Sequence, residues 1–331
     1  MLAAAIGVCL NRVVLASRRN SGHWRCGRSW AARLVAVCVL AAAAALTLPP
    51  PAALAATTSA TRAARPTASA RAASGTVLPA HAWGADLVDA STGAQLAGKD
   101  AGIPRPMGSI TKVMAALVVL RDGDLGREIR VTNGAVRYVD SDGASSAGLT
   151  AGDVLTARQL LEAMLLPSGC DAAYMLATAY GPGRFAFVQK MNVMAMSMGL
   201  TATHFASFDG MPRPTEYSTY SSPADLVRIG ERAMRNSVFR GIVSQSSYYL
   251  PATDLHHSYL WYSTNELLGS YPGDIGIKTG NTLAAGYCLL FEARRGRRVL
   301  IGVVLHADPA SDPYSSFTAA ARLLDWGFSQ I

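Results

Sequence analysis

Apolar positions begin to recur with a regular period near Trp83 and continue to do so to the end of the chain. Residues 83–89, the polar turn Ser91-Thr92-Gly93 and residues 94–99 read as a strand, a glycine turn and a returning strand. Pro104 and Pro106 end that hairpin region. Residues 109–120 are apolar almost all round, with Val113, Met114, Leu117, Val118 and Leu120, and stop at Arg121-Asp122-Gly123. A helix without a polar face is a buried one, so this segment is predicted to run through the core.

The middle of the chain has helical spacing. Leu160, Leu161, Leu165 and Leu166 define a helix over 156–166 that Pro167 ends, and Asp171 opens a second over 172–180 that stops at Gly181-Pro182-Gly183. Residues 185–198 carry Phe, Val and Met at helical spacing. That stripe is a packing face or a substrate surface, and packing is favoured because helical-spaced Met is usually core filler. Residues 223–234 form an amphipathic helix with Ser222 as its cap. After Pro272 the period changes to that of strands, at 276–280, 286–293 and 299–306, before a closing helix over 315–331. The basic turn 294–298 reads as a solvated hairpin tip. The predicted class is α/β, with one sheet built from both ends of the folded chain and a mostly helical insertion at about 122–270.

With 331 residues, half of them hydrophobic, the chain has ample material for a core. Its formal charge of +8 suggests a nucleic-acid partner until the charges are located. Six of the 30 basic residues lie in the first 55, where there is no Asp or Glu, which leaves 24 basic against 22 acidic in the remainder. The folded part is therefore close to neutral and carries no nucleic-acid footprint. Arginines up to Arg33, an apolar run over 34–48, three prolines and Ala53-Leu54-Ala55 read as a secretory signal sequence over 1–55. Residues 56–75 read as an Ala/Ser/Thr/Arg linker and 76–331 as the folded domain. The expected location is outside the cytoplasmic membrane, with membrane contact only if the signal is retained. Cys170 and Cys288 are the cysteines beyond the leader, and either a disulfide or two buried thiols accommodates them.

Three short motifs carry the candidate chemistry: Ser109-Ile110-Thr111-Lys112, Ser168-Gly169-Cys170 and Lys278-Thr279-Gly280. Serine and lysine at i and i+3 of a helix project from the same face, which brings the amine to the hydroxyl. A neutral amine there can accept the serine proton and make the oxygen a nucleophile without histidine. Each motif alone is weak. Together and in this order they are the pattern of penicillin-recognising enzymes. The adjacent pair His256-His257 reads as an exposed loop, and no His or Cys cluster has metal-ligand spacing, so neither metal nor cofactor is expected.

The sequence resembles the serine D-Ala-D-Ala carboxypeptidases, the low-molecular-mass penicillin-binding proteins. Beyond the three motifs, the likeness rests on Gly148-Leu149-Thr150-Ala151-Gly152-Asp153, Leu165-Leu166-Pro167-Ser168-Gly169, Met191-Asn192, Thr203-His204-Phe205, and Gly276-Ile277-Lys278-Thr279-Gly280-Asn281-Thr282 with Ala285-Gly286. It implies the DD-peptidase, serine β-lactamase-like fold, with an antiparallel sheet flanked by helices. It implies as substrates peptidoglycan stem peptides ending in D-Ala-D-Ala, and β-lactams as covalent ligands. Position by position, Ser109 would be the nucleophile, Lys112 its base, and Ser168 with Lys278 the proton relay to the leaving group. The backbone N–H groups of Ser109 and Asn281 would form the oxyanion hole. Thr279 and Lys278 would hold the substrate carboxylate, with Cys170 and Gly280 beside it.

Two departures from the family pattern matter. Cys170 stands where most members have asparagine, and a thiol cannot offer the amide's donor and acceptor. Two ammonium groups beside it are expected to favour the thiolate, lower its pKa and make it the more reactive of the two thiols, the competing outcome being a buried, neutral and inert thiol that only fills the amide's place. The second departure is the lack of an arginine between His306 and Tyr314, which leaves the carboxylate to His306 or Lys278. A class A β-lactamase would need a deacylating glutamate after the second motif, and the first candidate, Glu216, is in no matching context. A catalytically idle penicillin sensor or wall-binding protein is the remaining alternative, suggested only by Cys170.

Overall fold

The computed structural model describes residues 80–331. The expected signal at 1–55 and linker at 56–75 lie outside the described residues. The expected first hairpin is present as β1 (Ala82–Asp89) and β2 (Ala94–Lys99), and the buried helix as α1 (Thr111–Asp122), entered through a 3₁₀ turn at Gly108–Ile110. The helical middle comprises α2 (Asn133–Asp142), α3 (Ala157–Leu165), α4 (Cys170–Tyr180), α5 (Arg184–Ser197), α6 (Pro223–Met234) and α7 (Ser237–Val243). It also contains the short pairs β3 (Glu128–Arg130) with β4 (Val154–Thr156) and β5 (Ser247–Leu250) with β6 (Tyr259–Tyr262). The chain ends with β7 (Asp274–Thr282), β8 (Gly286–Arg295), β9 (Arg298–Ala307) and α8 (Ser315–Gln330).

Both ends of the folded chain meet in one antiparallel sheet, ordered β2-β1-β9-β8-β7. The period-2 alternation of the long strands divides their side chains between two cores. Leu289, Phe291, Leu300 and Val304 face α8, whereas Leu290, Ile301, Val303 and Leu305 join the larger core with α1, α3 and α4. α1 is buried along Thr111–Val119, as its lack of a polar face requires. α6, inside the expected helical insertion, packs on β1 and β9, and its Ser222 hydroxyl accepts from Asp225 N as the cap.

The basic hairpin tip is exposed along 294–298, as expected, and is also tied down: Arg295 donates to Asp325 at 2.8 Å and to the Tyr271 hydroxyl at 2.7 Å, and stacks over Phe328. The histidine pair lies in a loop with His257 exposed, but the expectation needs correction for His256. His256 is buried with Nδ1 against the His257 carbonyl, and His257 pairs with Asp153 at 2.9 Å.

The core contains a buried carboxyl with a testable consequence. Glu162 on α3 is 1% exposed, and burial raises its pKa to about 7 despite Arg158 at 4.0 Å and a hydrogen bond from Gln245. The unfolded chain ionises this group near pH 4.3, so the native state holds the extra proton between there and about 7. Its favourable contribution is present below pH 4 and lost as the pH rises through 7. Glu162→Gln is therefore expected to be near neutral at pH 4 and to gain on the order of 2 kcal/mol over the wild type by pH 7.5. Thermal unfolding at both pH values measures it, and a gap that narrows as the pH rises contradicts the assignment.

Candidate active site

The turn Gly108–Ile110 sets Ser109 at the mouth of a cavity of about 900 Å³, and the first turn of α1 brings Lys112 beneath it. Lys112 is fully buried. Its Nζ donates to Ser109 Oγ at 2.7 Å and to the Asp209 carbonyl at 3.0 Å, with Cys170 Sγ at 3.3 Å and Ser168 Oγ at 3.5 Å. The amine is thus held on three sides and aimed at the serine.

Ser168 sits between α3 and α4 with φ +64°, a left-handed backbone that costs a non-glycine residue about 1–3 kcal/mol and persists only where its surroundings impose it. They do so here: Ser145 Oγ donates to the Ser168 carbonyl, Gly169 N donates to Ala163 O and Cys170 N to Ser145 O. Buried Asp171 then accepts from the N–H groups of Ala147 and Leu149 and from Ser146 Oγ, fixing the loop before it across the cavity.

β7 is the edge strand of the main sheet and its outer side faces Ser109. The approach is so close that a Cβ on Gly280 would lie 2.1 Å from the Met107 carbonyl, so only glycine fits. A Cβ on Gly210, at φ +91°, would lie 2.0 Å from the Gly108 carbonyl. The 207–211 loop that carries Asp209 can therefore press on the serine turn only through a glycine. Thr279 Oγ1 is 2.6 Å from Thr264 Oγ1, and Thr279, Gly280 and Asn281 all line the cavity. Lys278 is 1% exposed, and its Nζ donates to Thr279 Oγ1 and O at 3.3 and 3.4 Å. Burial, and then the charge of Lys112, hold its pKa well below that of an ordinary lysine. Ser109, Lys112, Ser168, Cys170, Lys278, Thr279, Gly280 and Asn281 are thus brought to one place. Lys278 makes its hydrogen bonds to Thr279 and not to Ser168.

Cys170 departs from expectation. It is 1% exposed, and burial raises its thiol pKa more than Lys112 lowers it, so the thiolate is disfavoured. The expected activation by two ammonium groups fails because Cys170 lies beneath the cavity wall, where desolvation outweighs the Coulombic attraction. Cys288, also unpaired and buried, has its thiol pushed up to about 12. Both cysteines are expected to resist an alkylating reagent at pH 8 until the protein unfolds, with Cys170→Asn retaining the penicillin adduct. Fast loss of one native thiol, measured by mass, contradicts this. His306 is likewise placed elsewhere: it stacks on Trp83 at 3.5 Å, with Nδ1 3.2 Å from the Ala284 carbonyl, and does not line the cavity.

Sequence reasoning missed the supports. Asp209, fully buried, accepts from Tyr138 at 2.8 Å and from Ser207 Oγ and Met211 N, which aims its carbonyl at Lys112. Ser145 and Thr264 also lie outside the motifs whose residues they hold, 23 and 15 residues away from Ser168 and Thr279. The Asp209-Gly210 pair was the only local signal.

A serine joined to a buried lysine, beside a glycine-bearing edge strand, defines a serine acyl-transfer site without histidine. A sequence model of the D-alanyl-D-alanine carboxypeptidases matches residues 70–309, and the chain belongs to that family. It is similar to the D-alanyl-D-alanine carboxypeptidase of Streptomyces sp. strain K15, with 40% identity over 262 residues, 75% of this chain and 87% of that one. It is also similar to D-alanyl-D-alanine carboxypeptidase DacB2 of Mycobacterium tuberculosis, with 37% identity over 76% of this chain and 83% of that one. The crystal structure of the Streptomyces K15 DD-transpeptidase superimposes with a TM-score of 0.72 at 38% identity, covering 77% of this chain and all of that one. The chain is a serine DD-carboxypeptidase/transpeptidase with the DD-peptidase fold, and neither the β-lactamase nor the idle sensor is favoured.

Proposed function

We propose that Ser109 attacks the carbonyl between the two terminal D-alanines of a peptidoglycan stem peptide, with Lys112 as the base. The 2.7 Å contact from Lys112 Nζ to Ser109 Oγ carries this reading. In the attack the Oγ proton passes to the Lys112 amine as the C–O bond forms. The peptide bond then breaks, and Ser168 relays a proton to the departing D-alanine amine, leaving an acyl-enzyme. The N–H groups of Ser109 and Asn281 receive the oxyanion. Lys278 and Thr279 receive the terminal carboxylate, and the free edge of β7 takes the extended peptide as an added strand. Water or an amine resolves the acyl-enzyme.

A β-lactam enters the same path, but its ring-opened amine stays tethered and the adduct persists. Glu216 is an unsuitable deacylating base: its Oε2 accepts from Thr282 Oγ1 and Ala284 N, and it does not line the cavity. The experiment is an intact-protein mass after penicillin, paired with an assay of D-alanine release. One covalent adduct with release of D-alanine is expected; an unmodified mass refutes the mechanism.

The leader pattern and this substrate together support export across the cytoplasmic membrane. No helix among the described residues is long and apolar enough to span a bilayer. The secreted chain is expected to start near Ala56, and N-terminal sequencing that finds residues 34–48 retained contradicts it.

A further inference from the structure

The cavity at Ser109 is far larger than a D-Ala-D-Ala end requires, at about 900 Å³. Its wall consists of hydroxyls, backbone groups and apolar side chains, and among the described lining residues Glu266 is the one Asp, Glu, Lys, Arg or His. Glu266 is exposed in the turn between β6 and β7, and its carboxylate has no hydrogen-bond or ion-pair partner among the described residues. The turn is nevertheless fixed. Thr264 is bonded to Thr279 at 2.6 Å, and Asn265 donates to Asp274 at the head of β7 at 3.0 Å. Leu267 N donates to the Asn265 side chain at 3.1 Å. Glu266 is therefore held on the wall by neighbours that are tied to the strand carrying Lys278 and Thr279.

The charge layout is asymmetric. Two amines, Lys112 and Lys278, lie buried beneath the cavity, and one carboxylate stands on its wall. A peptide carrying a carboxylate at its end and an ammonium elsewhere is complementary to that arrangement, and an anion near Glu266 is repelled. The geometry points to Glu266 as a specificity-determining residue that receives a protonated primary amine of the reacting peptides. The assignment rests on the reading of Ser109 as the acylated residue. Two sources share this chemistry: a side-chain amine of the donor peptide, or a second amine on the acceptor that attacks the acyl-enzyme.

The test uses the full mature chain and two donors, Nα-acetyl-L-Lys-D-Ala-D-Ala and its Nα,Nε-diacetyl form. With a donor source, the free-amine peptide is expected to have the higher kcat/KM by about threefold at low salt, the scale of a partly exposed ion pair. Added salt shrinks the ratio. Glu266→Gln brings it towards one and Glu266→Lys inverts it, which a merely structural role of an exposed turn residue does not do. With an acceptor source, the donor ratio stays flat. The partition between transfer and hydrolysis then favours an acceptor with two amines over its mono-acetylated form, and Glu266→Gln removes that difference. If neither ratio responds to Glu266→Gln while wild-type protein forms its penicillin adduct, the Glu266 assignment is overturned alone. If wild-type protein forms no adduct and cleaves neither donor, the Ser109 reading fails and takes this one with it.

Discussion

Ser109→Ala is expected to abolish the penicillin adduct and to lower D-alanine release by on the order of 10⁴-fold or more, the scale on which removal of a nucleophile acts in acyl transfer. The change deletes one oxygen, and the side-chain hydrogen bond lost is the one from Lys112, which keeps the Asp209 carbonyl as a partner at 3.0 Å. Stability should accordingly stay within about 1 kcal/mol of the wild type, since no buried amine is left without an acceptor. Intact-protein mass after penicillin and a thermal melt of the same sample separate loss of chemistry from loss of fold. An alanine variant that still acylates at a comparable rate places the nucleophile elsewhere.

The three motifs were legible in sequence because each is local. Ser109 and Lys112 share a helix face by spacing alone, and Gly280 is demanded by a backbone approach that a motif encodes as its third letter. The long strands and α1 were legible from their apolar pattern, since ten-residue alternation and an all-round apolar helix have few competing readings. β3 to β6 were missed because three or four residues contain too little alternation to count, α7 because seven residues make barely two turns, and α2 because Ala135, Val136, Tyr138 and Val139 are its few apolar positions. The contacts that aim Lys112 were illegible for a different reason. Asp209 is 97 residues away along the chain, and it uses a carbonyl, which every residue possesses. Cys170 shows the limit of reasoning from neighbours: the expected lysines are present, but how deeply the thiol is buried depends on the loop that covers it. That loop is fixed by Asp171, which accepts hydrogen bonds from the backbone of Ala147 and Leu149.

Lys278 should show the second large effect, and its sign follows from burial. In the free protein its Nζ reaches Thr279 at 3.3 and 3.4 Å, and desolvation, with the repulsion of Lys112, holds its pKa well below that of an ordinary lysine. A substrate carboxylate reverses that balance by favouring the ammonium, so binding is coupled to proton uptake and weakens as the pH rises above the free protein's value. Calorimetry of a D-Ala-D-Ala peptide with the Ser109→Ala protein, in buffers of different ionisation enthalpy, reads the coupling. Uptake is expected, and zero or negative uptake refutes it. Removing one partner of such a desolvated pair costs about 2–5 kcal/mol, so Lys278→Met should lose roughly thirtyfold to several thousandfold in kcat/KM on a free-carboxylate peptide. The loss should be much smaller for the C-terminally amidated peptide, which presents no charge to pair. The same variant should be more stable than the wild type. The unfolded chain binds the lysine proton up to about pH 10.4, whereas the native site resists it, so wild-type stability falls as the pH drops from there towards the native value. Methionine has no proton to resist, and its advantage in thermal unfolding should therefore be larger at pH 7 than at pH 10.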